Sequence, residues 1–189
     1  MSARRILILG APGAGKGTQA ARLVGRLGVP HVSTGGMLRA AVQAGTEIGR
    51  KAKAVMDSGK LVSDEIVIGI AEERLQESDA TSGFVLDGFP RTLAQATALD
   101  EMLARLNTPL DRCLALTVDT DEVVQRLLRR AEIEGRSDDT EGAIRERMKV
   151  YDDQTAPLLD FYSSQKLLVE VTGTGTVDEV SNAIEKALE

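Results

Sequence analysis

The stretch Gly10-Ala11-Pro12-Gly13-Ala14-Gly15-Lys16-Gly17-Thr18 constrains this chain more than any other, because it joins two segments of opposite periodicity. Upstream, Arg4 to Leu9 is a short β-rich run ending at Gly10. Downstream, Lys16 to Leu27 sets Ala20, Leu23, Val24 and Leu27 at helical spacing. A strand that turns through glycines into a helix aims several backbone N–H groups, and the positive end of the helix, at one point. Phosphate oxygens suit such a point. The expectation is a phosphate loop, with Gly13, Ala14, Gly15, Gly17 and Thr18 around a donor nucleotide and Lys16 reaching its β and γ phosphates. Gly17 follows the lysine where the general pattern has a metal-binding serine or threonine, and Thr18 stands one place beyond.

The same alternation continues. Strands are predicted at His31 to Ser33, Phe84 to Asp87, Arg112 to Val118 and Leu167 to Val171. Helices are predicted near Gly36 to Gln43, Glu47 to Ser58, Asp64 to Glu77, after Thr92, at Asp121 to Arg130, through Arg147 and Phe161, and from Val177. Strands separated by helices need crossover connections, hence a parallel sheet covered on both faces. The predicted fold class is α/β, a three-layer α/β/α sandwich of P-loop NTPase type on a five-stranded parallel sheet. At 189 residues, without repeats or a low-complexity linker, one domain is expected, with insertions about 33–62 and 131–138. Gly135 and the mixed charges around it suggest a mobile surface loop.

Composition excludes several classes. A net charge of −6 argues against a nucleic-acid surface, so an anionic ligand must be met by local arginines. No apolar run reaches the roughly 18 residues of a membrane span, and Met1 to Arg5 lacks the apolar core of a secretory signal, so no membrane partner and a cytoplasmic location are expected. Aromatic residues are scarce, so the core should be aliphatic. Cys113 is alone, inside an apolar run, which excludes a disulfide and a four-cysteine zinc site and suggests an inert buried thiol. His31 has no carboxylate close in sequence and reads as structural.

The glycine loop, together with Ser33-Thr34-Gly35-Gly36-Met37-Leu38-Arg39, Asp87-Gly88-Phe89-Pro90-Arg91-Thr92 and the later Arg126-Leu127-Leu128-Arg129-Arg130, Gly135-Arg136, Asp138-Asp139 and Arg147, resembles the adenylate kinases in their short-lid form. The resemblance spans nearly the whole chain. It implies reversible transfer of the terminal phosphoryl group from Mg-ATP to AMP, giving two ADP, by a protein expected to be a monomer without zinc. It makes 33–62 the monophosphate-binding insertion and 131–138 the lid. On the donor side it implies Arg126, Arg130 and Gly175 beside the glycine loop, with Arg126 over the adenine. On the acceptor side it implies Thr34, Arg39, Lys60, Leu61, Val62, Gly88, Phe89, Pro90, Arg91, Gln95, Arg136 and Arg147. Lys16, Arg91, Arg130, Arg136 and Arg147 would be catalytic, which agrees with the need for guanidinium forks around a transferring phosphoryl group. Arg126 and Arg130, four apart on one helix, share a face.

Thr34 and Gln95 imply AMP rather than a pyrimidine monophosphate, since an amide can accept from a 6-amino group and donate to the adjacent ring nitrogen. Asp87 would hold magnesium through water. The family usually has aspartate where this chain has Gly36, which implies weaker magnesium binding with catalysis retained. Asp138 and Asp139 are read either as caps of the following helix, with Asp138 three before Glu141, or as lid contacts. Pro90 could carry a cis peptide bond.

Overall fold

The computed structural model describes residues 4–134, Arg136 and residues 138–189; the mobility expected at Gly135 concerns a residue outside these. β1 (Arg5–Gly10) runs into the glycine loop and α1 (Lys16–Leu27). There follow β2 (His31–Ser33), α2 (Thr34–Gln43), α3 (Glu47–Asp57), α4 (Asp64–Leu75), β3 (Phe84–Asp87), α5 (Leu93–Arg105), β4 (Arg112–Thr117), α6 (Thr120–Glu134) and α7 (Glu141–Val150). A π-helical turn, Tyr151–Thr155, leads into α8 (Pro157–Ser164), β5 (Leu168–Thr172) and α9 (Val177–Leu188).

The five strands form one parallel sheet in the order β2-β3-β1-β4-β5. Their period of two divides the apolar residues between two cores. Leu7, Leu9, Leu86 and Cys113 face one side, where α4, α5 and α8 contribute Val67, Ala71, Leu99, Met102, Leu158 and Tyr162. Ile6, Ile8, Val85, Leu114 and Leu116 face the other, where α1 and α9 contribute Ala20, Leu23, Val180 and Ile184. The three-layer α/β/α sandwich is thus the observed architecture. The core is mainly aliphatic, but Phe84, Phe89 and Tyr162 are among its largest fully buried side chains, so aromatic residues are few and still central. No described helix is long and apolar enough to cross a membrane.

Two elements differ from expectation. α6 continues to Glu134 instead of ending at Arg130, because Ala131, Glu132, Ile133 and Glu134 include good helix formers and no breaker stands before Gly135. The segment after α7 carries the π-helical turn, which no apolar periodicity announces. In open parallel sheets ligands collect beyond the carboxyl ends of the strands, where neighbouring connections leave in opposite directions. Here β1 lies between β3 and β4, so the glycine loop stands at that place.

Candidate active site

The glycine loop is shaped by left-handed backbone that only glycine adopts readily. Gly13 and Gly15 have φ of 82° and 89°. A Cβ on Gly13 would also meet Leu127 Cγ at 2.9 Å and the Val123 carbonyl oxygen at 3.0 Å, so the loop is seated directly on α6. Lys16 folds back across it, its Nζ donating to the carbonyl oxygens of Gly10 at 2.7 Å and Ala11 at 2.9 Å. Burial lowers the Lys16 pKa to about 8; Asp87 opposes the shift, and Arg91, Arg147 and Arg130 add to it.

Those arginines share a cavity of about 810 Å³ with the loop, together with Arg39, Arg126 and Arg136. They come from α2, the loop between β3 and α5, α6, the segment before α7 and α7 itself, so distant parts of the chain supply one cationic lining. The crowding is electrostatically costly. Arg91 is pushed down to about 10 by burial and by Arg147, with Asp87 in opposition, and Arg39 and Arg147 are lowered as well, burial again leading. A Cβ on Gly35 would lie 3.3 Å from Arg39 Nη1 and 3.7 Å from Arg91 Nη2, so both guanidinium groups close around that residue. A concentration of like charge at this cost is what a polyanionic ligand relieves.

Two aspartates hold part of the lining in place. Asp139, with its side chain fully buried, accepts from Arg130 Nε at 2.6 Å and Nη2 at 2.7 Å, and also pairs with Arg147 Nη1. Asp138 accepts from Arg136 Nε at 2.9 Å and from its Nη2. Burial alone would raise the Asp138 carboxyl; the hydrogen bond from Arg136 and the nearby guanidinium charges overcome it and hold the pKa at about 2. The helix-cap reading of Asp138 and Asp139 is corrected, since the cap of α7 is Thr140, whose side chain accepts from the Ala143 N–H.

At the other end, Thr34 Oγ1 donates to the Gly88 carbonyl oxygen at 3.0 Å, and Lys60, Leu61, Val62, Gly88 and Gln95 line the wall. Gln95 is only 1% exposed, so it is not a surface helix residue. Phe89 and Pro90, expected as acceptor contacts, are absent from the described lining; both are buried, and Phe89 packs into the core beneath the sheet end. The Phe89–Pro90 peptide is cis. Arg126 Nη2 donates to the Gly173 carbonyl oxygen at 3.1 Å and pairs with Glu122, and Arg126, Gly173 and Gly175 line the cavity together with the glycine loop.

His31, expected to lack a carboxylate neighbour, has Nε2 3.5 Å from Asp87 Oδ2 because β2 and β3 lie side by side. Two contributors went unread in the sequence. Asp64 accepts from Gln95 Nε2 at 2.7 Å, and Thr155, in the π-helical turn, donates to the Arg91 carbonyl oxygen at 2.8 Å. Only the Ser63-Asp64 helix start marked the first; nothing local marked the second.

For magnesium, the donor set is sparse but suitable. Asp87 ends β3 in the cavity beside Lys16, and a Cβ on Gly17 would lie 3.8 Å from its Oδ2, with Thr18 also in the lining. Burial would raise the Asp87 carboxyl, but His31, Lys16 and Arg91 leave it below the usual carboxylate range. One carboxylate beside a phosphate loop fits a cation that keeps several waters and is held largely by substrate phosphates. Among the described residues no three His, Cys, Asp or Glu side chains gather to hold a metal ion by themselves. Cys113 is buried in β4, where burial pushes its thiol up, away from reactivity.

A family profile described as Adenylate kinase matches residues 8–167. A protein from Stenotrophomonas maltophilia (strain R551-3), named adenylate kinase, is 50% identical over 184 residues, covering 97% of this chain and 98% of its own. One of the same name from Thermobifida fusca (strain YX) is 53% identical over 184 residues, covering 97% of each chain. A third, from Thermodesulfovibrio yellowstonii, is 48% identical over an alignment of 212 residues, covering 98% of this chain and 99% of its own.

Proposed function

The chain belongs to the adenylate kinase family, and from that premise we propose how its own residues transfer the terminal phosphoryl group of Mg-ATP to AMP. The glycine loop and Lys16 hold the β and γ phosphates of ATP, with Arg126 and Gly175 at its adenine. Thr34, Arg39, Lys60, Leu61, Val62, Gly88, Arg91 and Gln95 hold AMP. An oxygen of the AMP phosphate attacks the γ phosphorus, the bond from that phosphorus to the β–γ bridging oxygen breaks, and two ADP result. The nucleophile is a phosphate oxygen that is already ionised near neutral pH, so no side chain has to remove a proton. This agrees with the lone histidine lying against Asp87 rather than forming a base–nucleophile pair.

What remains for the protein is alignment and charge neutralisation. Arg91, Arg130, Arg136 and Arg147 surround the junction, and their forks match equatorial phosphoryl oxygens better than lysines would. Asp87 would hold magnesium through water, and the bound ion would supply further neutralisation of the phosphate oxygens. The segments 33–62 and 131–138 are proposed to close over AMP and ATP, excluding water that would otherwise accept the phosphoryl group. A monomer suffices, since every group used here comes from one chain.

The observation that carries the reading is the convergence of Lys16 with Arg91, Arg130, Arg136 and Arg147 on one cavity whose two ends present a phosphate loop and an amide. The test has two arms. A crystal structure with two adenosines joined through five phosphates should place all four guanidinium groups on the phosphate chain. Steady-state kcat/KM with AMP, CMP, UMP and GMP should favour AMP; a preference for CMP or UMP, or arginines turned to solvent in the complex, defeats the reading.

Gly36 gives a separate expectation. It lies inside α2, and a Cβ there meets Ser33 Oγ at 3.3 Å, a contact that side chain can relieve. Gly36→Asp should therefore fold and, by adding a carboxylate for metal-bound water, lower the magnesium concentration that gives half-maximal rate by about tenfold. Titrating the rate with magnesium at saturating nucleotide measures it, and an unchanged midpoint removes the idea.

A further inference from the structure

We infer that Asp64, which does not line the cavity, sets the preference for adenine by fixing which way the Gln95 amide faces. The inference rests on the proposed role of Gln95 as the acceptor-base contact. Gln95 sits in the first turn of α5, where the Thr92 hydroxyl accepts from its backbone N–H. Its side chain is clamped at both ends. Oε1 accepts from the Arg91 N–H at 2.8 Å, and Nε2 donates to Asp64 Oδ1 at 2.7 Å. Asp64 is the first residue of α4, and its carboxylate lies 3.4 Å from the Thr92 hydroxyl through each oxygen.

The two clamps have opposite polarity. A backbone N–H can only donate, and a carboxylate of this kind accepts. Turning the amide over would set Nε2 against the Arg91 N–H and Oε1 against Asp64, exchanging two hydrogen bonds for two repulsions at a side chain that is only 1% exposed. One orientation therefore persists, leaving one lone pair on Oε1 and one hydrogen on Nε2 for the cavity. Adenine offers a 6-amino donor next to an acceptor ring nitrogen, which matches that order. A 6-oxo purine offers the reverse, an acceptor oxygen next to a ring N–H. It could be accepted only if the amide turned over, and Asp64 and the Arg91 N–H together oppose that. A glutamine free of both clamps would be indifferent; the clamped amide reads the base.

The experiment compares kcat/KM for AMP and IMP, with ATP as donor, in the intact protein and in Asp64→Asn, Gln95→Met and the double variant. An asparagine can donate as well as accept, so position 64 no longer opposes the turned-over amide and only the Arg91 N–H does. The AMP/IMP ratio should fall at least about tenfold in Asp64→Asn, with kcat for AMP within about threefold of the parent, since no reacting atom is touched. In the Gln95→Met background the same change should leave the ratio unaltered.

If Gln95→Met collapses the ratio while Asp64→Asn leaves it intact, even with a lower unfolding temperature, Asp64 is structural and the inference is overturned while the base reading stands. If Gln95→Met itself has no effect on the ratio, both are overturned. Should Asp64→Asn not fold, the unsubstituted protein still decides. The Gln95 side-chain amide proton bonded to Asp64 must exchange slowly with solvent before nucleotide is added, and exchange of that proton at the rate of an exposed glutamine would overturn the clamp.

Discussion

Lys16→Met should lower kcat by roughly a thousandfold, at the upper end of what removing one preorganised charge from a developing anion costs. The substitution keeps an unbranched stem of similar length, so the loss belongs to the ammonium group. In the nucleotide-free protein that group donates to Gly10 and Ala11 and lies buried beside Arg91, Arg130 and Arg147, which is why its pKa is about 8. Under the proposed function the phosphates of ATP supply a counter-charge. The sign of the pH dependence follows from the depressed value. Below pH 8 the free protein already carries the proton, and ATP binds a charged lysine. Above pH 8 the lysine is neutral until ATP restores its charge, so binding takes up a proton and ATP affinity falls as pH rises, by up to about tenfold per unit. Isothermal titration between pH 7 and 9.5 reads this directly. Lys16→Met should show a flat profile over the same range, and a flat profile in the parent protein would remove Lys16 from the phosphate site.

The elements of this fold were legible because their signals are local. Alternation in β1 sends Ile6 and Ile8 to one core and Leu7 and Leu9 to the other, and Ala20 and Leu23 recur at helical spacing beneath them. The glycine loop is a contiguous string, and its lysine is part of it. What escaped was the set of contacts that join residues far apart in the chain. Thr155 reaches Arg91 across 64 residues and Asp64 reaches Gln95 across 31, and neither pair leaves a periodic trace. Asp138 and Asp139 illustrate a competition that local reasoning weighed without deciding. Both a helix start and a cluster of arginines want a carboxylate there, and Thr140 provided the cap, leaving both aspartates to the guanidinium groups.

The same contacts explain why Arg91 should be the most sensitive of the arginines. Its backbone is held at both ends, the N–H by Gln95 Oε1 and the carbonyl by the Thr155 hydroxyl, and its Nε donates to the Gly88 carbonyl oxygen at 2.8 Å. Its Nη2 lies 3.7 Å from where a Cβ on Gly35 would stand, and the side chain lines the cavity. An arginine fixed at three points reaches a transferring group without reorganisation, where such a group is worth on the order of 10³ or more in rate. Arg91→Met should therefore cost about 10³ in kcat/KM. It should not cost stability in proportion, because burial and repulsion from Arg147, Arg39 and Arg136 hold the native pKa down to about 10, so the charged form opposes folding at every pH below that. Arg91→Lys restores a charge without the fork and should recover less than about tenfold of the loss. Measuring kcat/KM and thermal unfolding on the two variants side by side separates the possibilities. Full recovery by lysine would mean that charge alone is required, and an activity loss that tracks a lowered unfolding temperature would make Arg91 a structural residue.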